Sequence, residues 1–150
     1  MAPVPEALKQ AIEQRYSATN EFLRGNVLPW KKMCSHSEDV TIVGGWGGYE
    51  RGWTEQVEKR YEWAAARAGA TLRLEGEIHF EGISLVVTPE LAYSVDIERS
   101  SVRLSGKEDA VPLALRVTTI YRVEDGQWKV VHRHADPLLT VQDTAAVVQK

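Results

Sequence analysis

The sequence lacks the features that mark secreted, membrane-spanning and nucleic-acid-binding proteins. Cys34 is the only cysteine among 150 residues, so no disulfide can form within the chain. No apolar run approaches the roughly 20 residues that a membrane-spanning helix needs, and the first residues lack the basic and apolar regions of a signal peptide. The 18 basic residues form no cluster and the net charge is −3, which argues against nucleic-acid binding. These absences predict a cytoplasmic protein without nucleic-acid or membrane partners.

Phosphate-binding glycine motifs are also absent. Five glycines fall within the nine residues Gly44–Gly52, which excludes regular structure there because glycine loses the most backbone entropy on folding. The segment contains neither GxxxxGK[ST] nor GxGxxG, and so we predict no nucleotide or other cofactor. With Trp46 and Tyr49 it is either a surface loop or an aromatic lid over a ligand.

Hydrophobic periodicity divides the chain into an N-terminal helical part and a C-terminal part made of strands. Helical spacing begins after Pro5 and ends at Gly25-Asn26, and period-two alternation dominates after Thr71. The other predicted elements are a short helix at 28–36, a strand at 38–43, a helix at 54–68 ended by Gly69, and strands at 71–87, 91–104, 111–123 and 127–136. This order predicts one α+β domain over residues 1–150, with three helices packed on a curved, mostly antiparallel sheet.

A string of motifs near the C-terminus carries a family resemblance. It consists of Leu115–Thr118, Tyr121-Arg122, Asp125-Gly126, Trp128 and His132–Asp136. The string resembles the SnoaL-like/DUF4440 branch of the nuclear-transport-factor-2-like (NTF2-like) superfamily, and its hairpin is similar to the one that closes the association domain of calmodulin-dependent kinases. The resemblance implies a cone-shaped fold of the ketosteroid-isomerase-like kind.

The same resemblance leaves the activity open, because this fold hosts isomerases, cyclases, dehydratases and non-catalytic binders. Ketosteroid isomerases use an aspartate near the end of the early strand as general base, whereas this chain has Val43–Trp46 there, without a carboxylate. We therefore expect a small-molecule pocket protein that acts, if it is an enzyme, as a cofactor-free isomerase, cyclase or hydratase/dehydratase on a small apolar carbonyl compound. The alternative is a non-catalytic binding or dimerisation module.

Strict alternation places His132 and His134 on one face of the last strand, beside Trp128 and Val130. Which residues face them from the preceding strand depends on the turn. A two-residue Asp125-Gly126 turn puts Val117, Thr119 and Tyr121 there, whereas a three-residue turn puts Arg116, Thr118 and Ile120 there, with Arg116 opposite His134. The family resemblance favours the second register.

The predicted site combines an arginine, a histidine and a carboxylate. Arg116 offers a fork of donors to a carbonyl or carboxylate, His134 can exchange a proton near neutral pH, and Glu98 or Asp136 would act as base or orient the imidazole. We expect Trp46, Tyr49, Thr118 and His132 to line the same cavity, with Trp30 and Trp53 as walls. His132, His134 and Asp136 could reach one ion, but a single strand end is a poor source for a complete zinc shell, and we predict no metal.

The sheet also predicts a homodimer. One face carries apolar residues that would be unusual on a solvated surface, and large apolar patches usually mark contacts. Its members are Leu115, Val117, Tyr121 and Val123, joined in one of the two registers by Val131 and Ala135.

Overall fold

The computed structural model describes residues 3–149. Within them the chain forms three α-helices, α1 (Glu6–Leu23), α2 (Leu28–Met33) and α3 (Glu58–Thr71). The strands are β1 (Thr41–Val43), β2 (Glu50–Arg51), β3 (Leu72–Val87), β4 (Leu91–Leu104), β5 (Ala110–Glu124) and β6 (Gln127–Pro137), and a short 3₁₀ turn lies at Thr144–Val147.

The strands form one sheet of order β2-β1-β6-β5-β4-β3. The pairing of β1 with β6 is parallel, and the other neighbouring pairs are antiparallel. The helices pack on the inner face of this curled sheet. The predicted α+β cone, with three helices on a mostly antiparallel sheet, is confirmed. No helix within residues 3–149 combines the length and the apolar composition needed to cross a membrane.

The first helix places a charged residue against the sheet. Pro5 precedes α1, where its missing N–H costs nothing, and Gly25, with a φ of 95°, follows its end. The buried face contains Leu8, Ala18 and the fully buried Arg15. An arginine in this position needs partners on the inner face of the sheet.

The third helix differs from the prediction at both ends. It opens one residue before Thr54 with a π-helical turn, Trp53–Val57, preceded by Gly52 at a φ of 86°. It then continues through Gly69 to Thr71, so Gly69 does not end the helix. A Cβ on Gly69 would lie 2.8 Å from the Gly25 Cα, and the glycine therefore serves the close approach of the two backbones.

The β5–β6 hairpin combines features of both predicted registers. Its turn has two residues, Asp125 and Gly126, both with positive φ (52° and 76°), because Glu124 pairs directly with Gln127. Farther along, Tyr121 pairs with Val130 but Ile120 pairs with His132, which leaves Val131 as an extra residue in β6.

This β-bulge at Val131 reverses the alternation of β6. Trp128 and Val130 therefore lie on the inner face together with Arg133 and Ala135, rather than with His132 and His134, and strict alternation along β6 is wrong. The histidines share the outer face with Arg116, Thr118 and Ile120, as the favoured register predicted. Arg116, however, lies opposite Asp136, and Thr118 lies opposite His134.

Candidate functional site

A cavity of about 240 Å³ lies between the helices and the inner face of the sheet. Its walls are mostly apolar and come from α1, α2 and α3 and from strands β1, β3, β4, β5 and β6. The apolar side chains that line it include Phe22, Trp30, Ile42, Tyr61, Ala64, Leu72, Ile78, Leu113, Leu115 and Ala135. The cavity is slightly smaller than the roughly 300–1,000 Å³ of typical ligand pockets, and it suits a compact ligand.

One ion pair interrupts the apolar wall. Glu98 on β4 accepts hydrogen bonds from both terminal nitrogens of Arg133 on β6, at 2.9 Å each. Behind it, Arg15 donates to Glu98 at 3.3 Å and to Asp96. Glu98, Asp96 and Arg15 are buried, and the Arg133 side chain is 16% exposed. Two guanidinium groups and two carboxylates therefore balance each other's charge in a largely desolvated cluster.

The neighbouring charges set the direction in which the pKa of Glu98 is shifted. Burial alone raises the pKa of Glu98, but the guanidinium groups of Arg133 and Arg15 outweigh burial and hold that pKa below its usual range. The group is therefore a carboxylate at neutral pH and a weak proton acceptor. The phenol of Tyr61 behaves differently, because burial raises its pKa and keeps it protonated.

The glycine-rich segment forms the solvent-facing end of the cavity. Gly44, Gly45 and the half-exposed Trp46 line it, and the Trp46 ring meets Trp63 edge-on at 6.1 Å. Arg60 holds the loop by donating to the Gly47 carbonyl at 2.8 Å and by pairing with Glu50 at 3.2 Å. Of the two predicted interpretations of this segment, a surface loop or an aromatic lid over a ligand, its position on the cavity wall favours the second.

Three of the predicted site residues, Trp30, Trp46 and Glu98, lie together on the cavity wall. Two predicted aromatic residues lie elsewhere. Tyr49 is 84% exposed, and Trp53 is buried in the core with its ring stacked on His36 at 4.2 Å. Trp53 is therefore not a wall of the cavity.

The other predicted residues lie on the outer face of the sheet, away from the cavity: Arg116, Thr118, His132, His134 and Asp136. Asp136 Oδ2 lies 2.9 Å from His134 Nε2 and 3.6 Å from Arg116 Nη2. His132 Nδ1 lies 2.7 Å from the Thr41 hydroxyl, and its pKa is lowered by burial and by the nearby His134. These residues do cluster, but the bulge separates the cluster from Glu98. Within residues 3–149 no three His, Cys, Asp or Glu side chains are grouped as metal ligands.

The face predicted to form the dimer interface is the inner face. Val117, Tyr121, Val131 and Ala135 are buried in the chain's own interior, and Leu115 lines the cavity. Their apolar character is explained by packing within one chain, and the choice of these residues as a dimer surface is wrong.

Sequence reasoning missed Arg15, Arg133 and Tyr61. Arg15 left a signal, since it falls on the apolar stripe of α1, where a charged residue indicates a buried partner. Tyr61 likewise falls on the apolar stripe of α3. Arg133 was placed on the wrong face because no feature of the sequence marks the bulge at Val131.

Comparisons with known proteins identify the fold. No protein-family model and no curated protein match the chain. Solved structures do match it, among them a ketosteroid isomerase-like protein from Erwinia carotovora atroseptica, with a TM-score of 0.69 and 12% identity over 91% of this chain and 100% of that one.

Two further solved structures have the same fold. An NTF2-like superfamily protein from Salmonella enterica serovar Typhimurium has a TM-score of 0.59 and 15% identity, covering 91% of this chain and 97% of that one. A protein from Exiguobacterium sibiricum described as a Ca/calmodulin-dependent kinase II association domain has a TM-score of 0.65 and 15% identity, covering 94% and 99%. At these identities the likeness concerns the fold, and the chain has the fold of the NTF2-like superfamily.

Proposed function

We propose that this protein binds a small, mostly apolar molecule in the cavity between its helices and the inner face of its sheet. The observation that carries the proposal is the cavity of about 240 Å³, with apolar walls and one buried ion pair, Glu98–Arg133. Apolar walls supply affinity through burial, and a few fixed polar groups orient the ligand, which is the usual division in small-molecule sites.

The chemistry of Glu98 favours binding over proton transfer. Among the described residues that line the cavity, Glu98 is the only carboxylate, and two arginines lower its pKa, so it is a poor general base near neutral pH. An isomerisation or dehydration in this cavity that needs a carboxylate base would have to use Glu98. A catalytic role for Arg116, His134 and Asp136 stays a prediction and would require a second site on the outer face.

A cavity-filling variant tests the proposal. Ala64 is buried and lines the cavity, whereas Ala66, two residues along the same helix, is exposed. Ala64→Leu should abolish the rise in Tm that a small cyclic ligand such as cyclohexanone causes in the wild type. Ala66→Leu should retain it. An equal ligand-induced rise in both variants, or none in the wild type at millimolar cyclohexanone, would refute the proposal.

We also propose a homodimer, formed through the outer face of the sheet. The observation that favours it is a partly exposed apolar stripe across two neighbouring strands, consisting of Tyr93, Val95 and Ile97 on β4 and Ile120 on β5, which none of the helices covers. Ile97→Lys should convert a dimer into a monomer in analytical ultracentrifugation, while Val141→Lys, in the exposed C-terminal segment, should not. A monomeric wild type at micromolar concentration would contradict the dimer.

A further inference from the structure

The mouth of the cavity lies between the glycine-rich segment and the end of β6. Of the residues that line the cavity, Trp46 and Pro137 are the exposed ones. Pro137 belongs to the sheet, where it pairs with Leu115 of β5, whereas Trp46 belongs to the loop between β1 and β2. A ligand that enters at this mouth passes the Trp46 ring, which lies on the side that the sheet does not hold.

Glycines on both sides of Trp46 allow this loop to change conformation. Gly45 precedes it, and Gly47 and Gly48 follow it with φ of 96° and 74°. A Cβ on Gly47 would meet no described residue other than its chain neighbours within 4 Å, so packing does not restrain the backbone there. Glycine adopts either sign of φ without steric cost, and loops that open and close over binding sites change φ and ψ at a few such positions.

Arg60 on α3 holds the loop in place. In the part of the chain that the structure describes, its 2.8 Å bond to the Gly47 carbonyl is the one hydrogen bond that joins the loop tip, Trp46–Gly48, to another element. The same guanidinium pairs with Glu50 at 3.2 Å, and the two side chains are only 22% and 15% exposed, so solvent screens this pair incompletely. The observed position of the loop therefore depends on Arg60.

The ring of Trp63 provides the surface beside Trp46. The guanidinium of Arg60 lies 4.8 Å from the centre of the Trp63 ring, and the Trp46 ring meets Trp63 edge-on at 6.1 Å. Both indoles are about half exposed, 51% and 48%, so neither is fixed by a packed core. The contact of Arg60 with one indole and its bond to the loop therefore stabilise the same arrangement.

We infer that Trp46 is a gate over the cavity and that Arg60 is the positioning residue that keeps this gate closed. A ligand enters and leaves when Arg60 releases the Gly47 carbonyl and the Trp46 ring turns away from the mouth. The inference rests on the proposed function and describes how its ligand reaches the cavity. Because Arg60 holds the loop in the free and in the bound protein alike, it controls the rates of binding more than the affinity.

Arg60→Met tests the inference, because it keeps an apolar stem and removes the donors. NMR line-shape analysis of the signals of cyclohexanone during a titration gives the association and dissociation rate constants. The variant should raise both about tenfold, the usual scale for losing one hydrogen bond to a charged group, and should change Kd by less than about threefold. Arg67→Met, at an exposed arginine of the same helix that does not line the cavity, should leave both rate constants unchanged.

A matched pair of glycines gives a second test that alters no charge. Gly47 and Gly106, in the turn between β4 and β5, have φ of 96° and 79°, and an added Cβ would have open space at both. Alanine is therefore disfavoured at either position by the positive φ alone. Gly47→Ala destabilises the closed loop and should raise both rate constants severalfold, whereas Gly106→Ala should change neither.

The outcomes separate the inference from the proposed function. Unchanged rate constants in both Arg60→Met and Gly47→Ala would overturn the inference but leave the small-molecule cavity in place. A loss of affinity in Arg60→Met that arises from faster dissociation alone would also overturn it, because Arg60 would then hold the ligand and not the loop. Absence of cyclohexanone binding to the wild type at millimolar concentration would overturn both.

Discussion

The two faces of the β5–β6 hairpin carry similar charged residues in different surroundings. On the inner face Arg133 donates two 2.9 Å hydrogen bonds to Glu98. This carboxylate is buried, and Arg15 lies behind the pair. On the outer face Arg116 lies 3.6 Å from Asp136, with side chains 57% and 43% exposed. Solvent screens the outer pair, whereas each inner charge depends on its partners. Composition alone therefore does not distinguish the two faces; desolvation does.

The largest expected effect comes from breaking the inner cluster. Arg15→Met removes a fully buried charge and leaves Asp96 without its cationic partner, so it should lower the free energy of unfolding by about 3–5 kcal/mol. The matched change on the outer face, Arg116→Met, should alter it by less than about 0.5 kcal/mol. Urea unfolding of the two variants measures the contrast. Equal effects would show that the two faces do not differ in this way.

A substitution at the β-bulge should have an intermediate effect on stability. Val131 is 8% exposed because the bulge turns it inward, whereas regular alternation would turn it outward. Val131→Ala should cost about 1–3 kcal/mol of stability through lost burial and the cavity left behind. Val141→Ala, at a fully exposed valine, should cost less than about 0.5 kcal/mol. If Val131→Ala left the free energy of unfolding unchanged, Val131 would have to lie on the outer face, and the inward orientation would be wrong.

The smallest expected effect is the contribution of His132, on the outer face, to the pH dependence of stability. Burial and His134 lower the pKa of His132 in the folded state below its ordinary value of 6.5, so the unfolded chain binds that proton more readily. This contribution to stability is complete above the ordinary pKa and decreases as pH falls through it. His132→Gln should therefore flatten the fall in stability between about pH 7 and pH 5. An unchanged slope would show that His132 titrates alike in both states.

The fold followed from the sequence because its signals are local and repeated. Pro5 and Gly25 bound α1, and the period-two alternation from Thr71 onward marks the four long strands, whose ends lie close to those predicted. Gly69 was misjudged for a physical reason. The close contact between its helix and Gly25 is a tertiary feature, and a glycine that permits close packing has the same local appearance as one that ends a helix.

Only part of the site was predictable. Trp30, Trp46 and Glu98 line the cavity, as predicted. The glycine-rich segment drew attention to Trp46, and Glu98 was chosen as a carboxylate that could act with Arg116 and His134. Arg133 was missed, and Arg116 and His134 were assigned to the cavity, because one extra residue reverses every side chain beyond it. A bulge depends on pairing between strands and has no dependable local signature, so the face of β6 required the structure.

Mapping the binding of cyclohexanone by NMR tests the central claim, that the inner face and not the outer face holds the small-molecule site. The indole N–H signals, assigned by replacing each tryptophan in turn with phenylalanine, report on the cavity through Trp30 and Trp46, and the imidazole signals of His132 and His134 report on the outer face. The account predicts saturable shifts of the Trp30 and Trp46 signals, with the imidazole signals unmoved. Saturable shifts of the His132 and His134 signals without any change at Trp30 would contradict it.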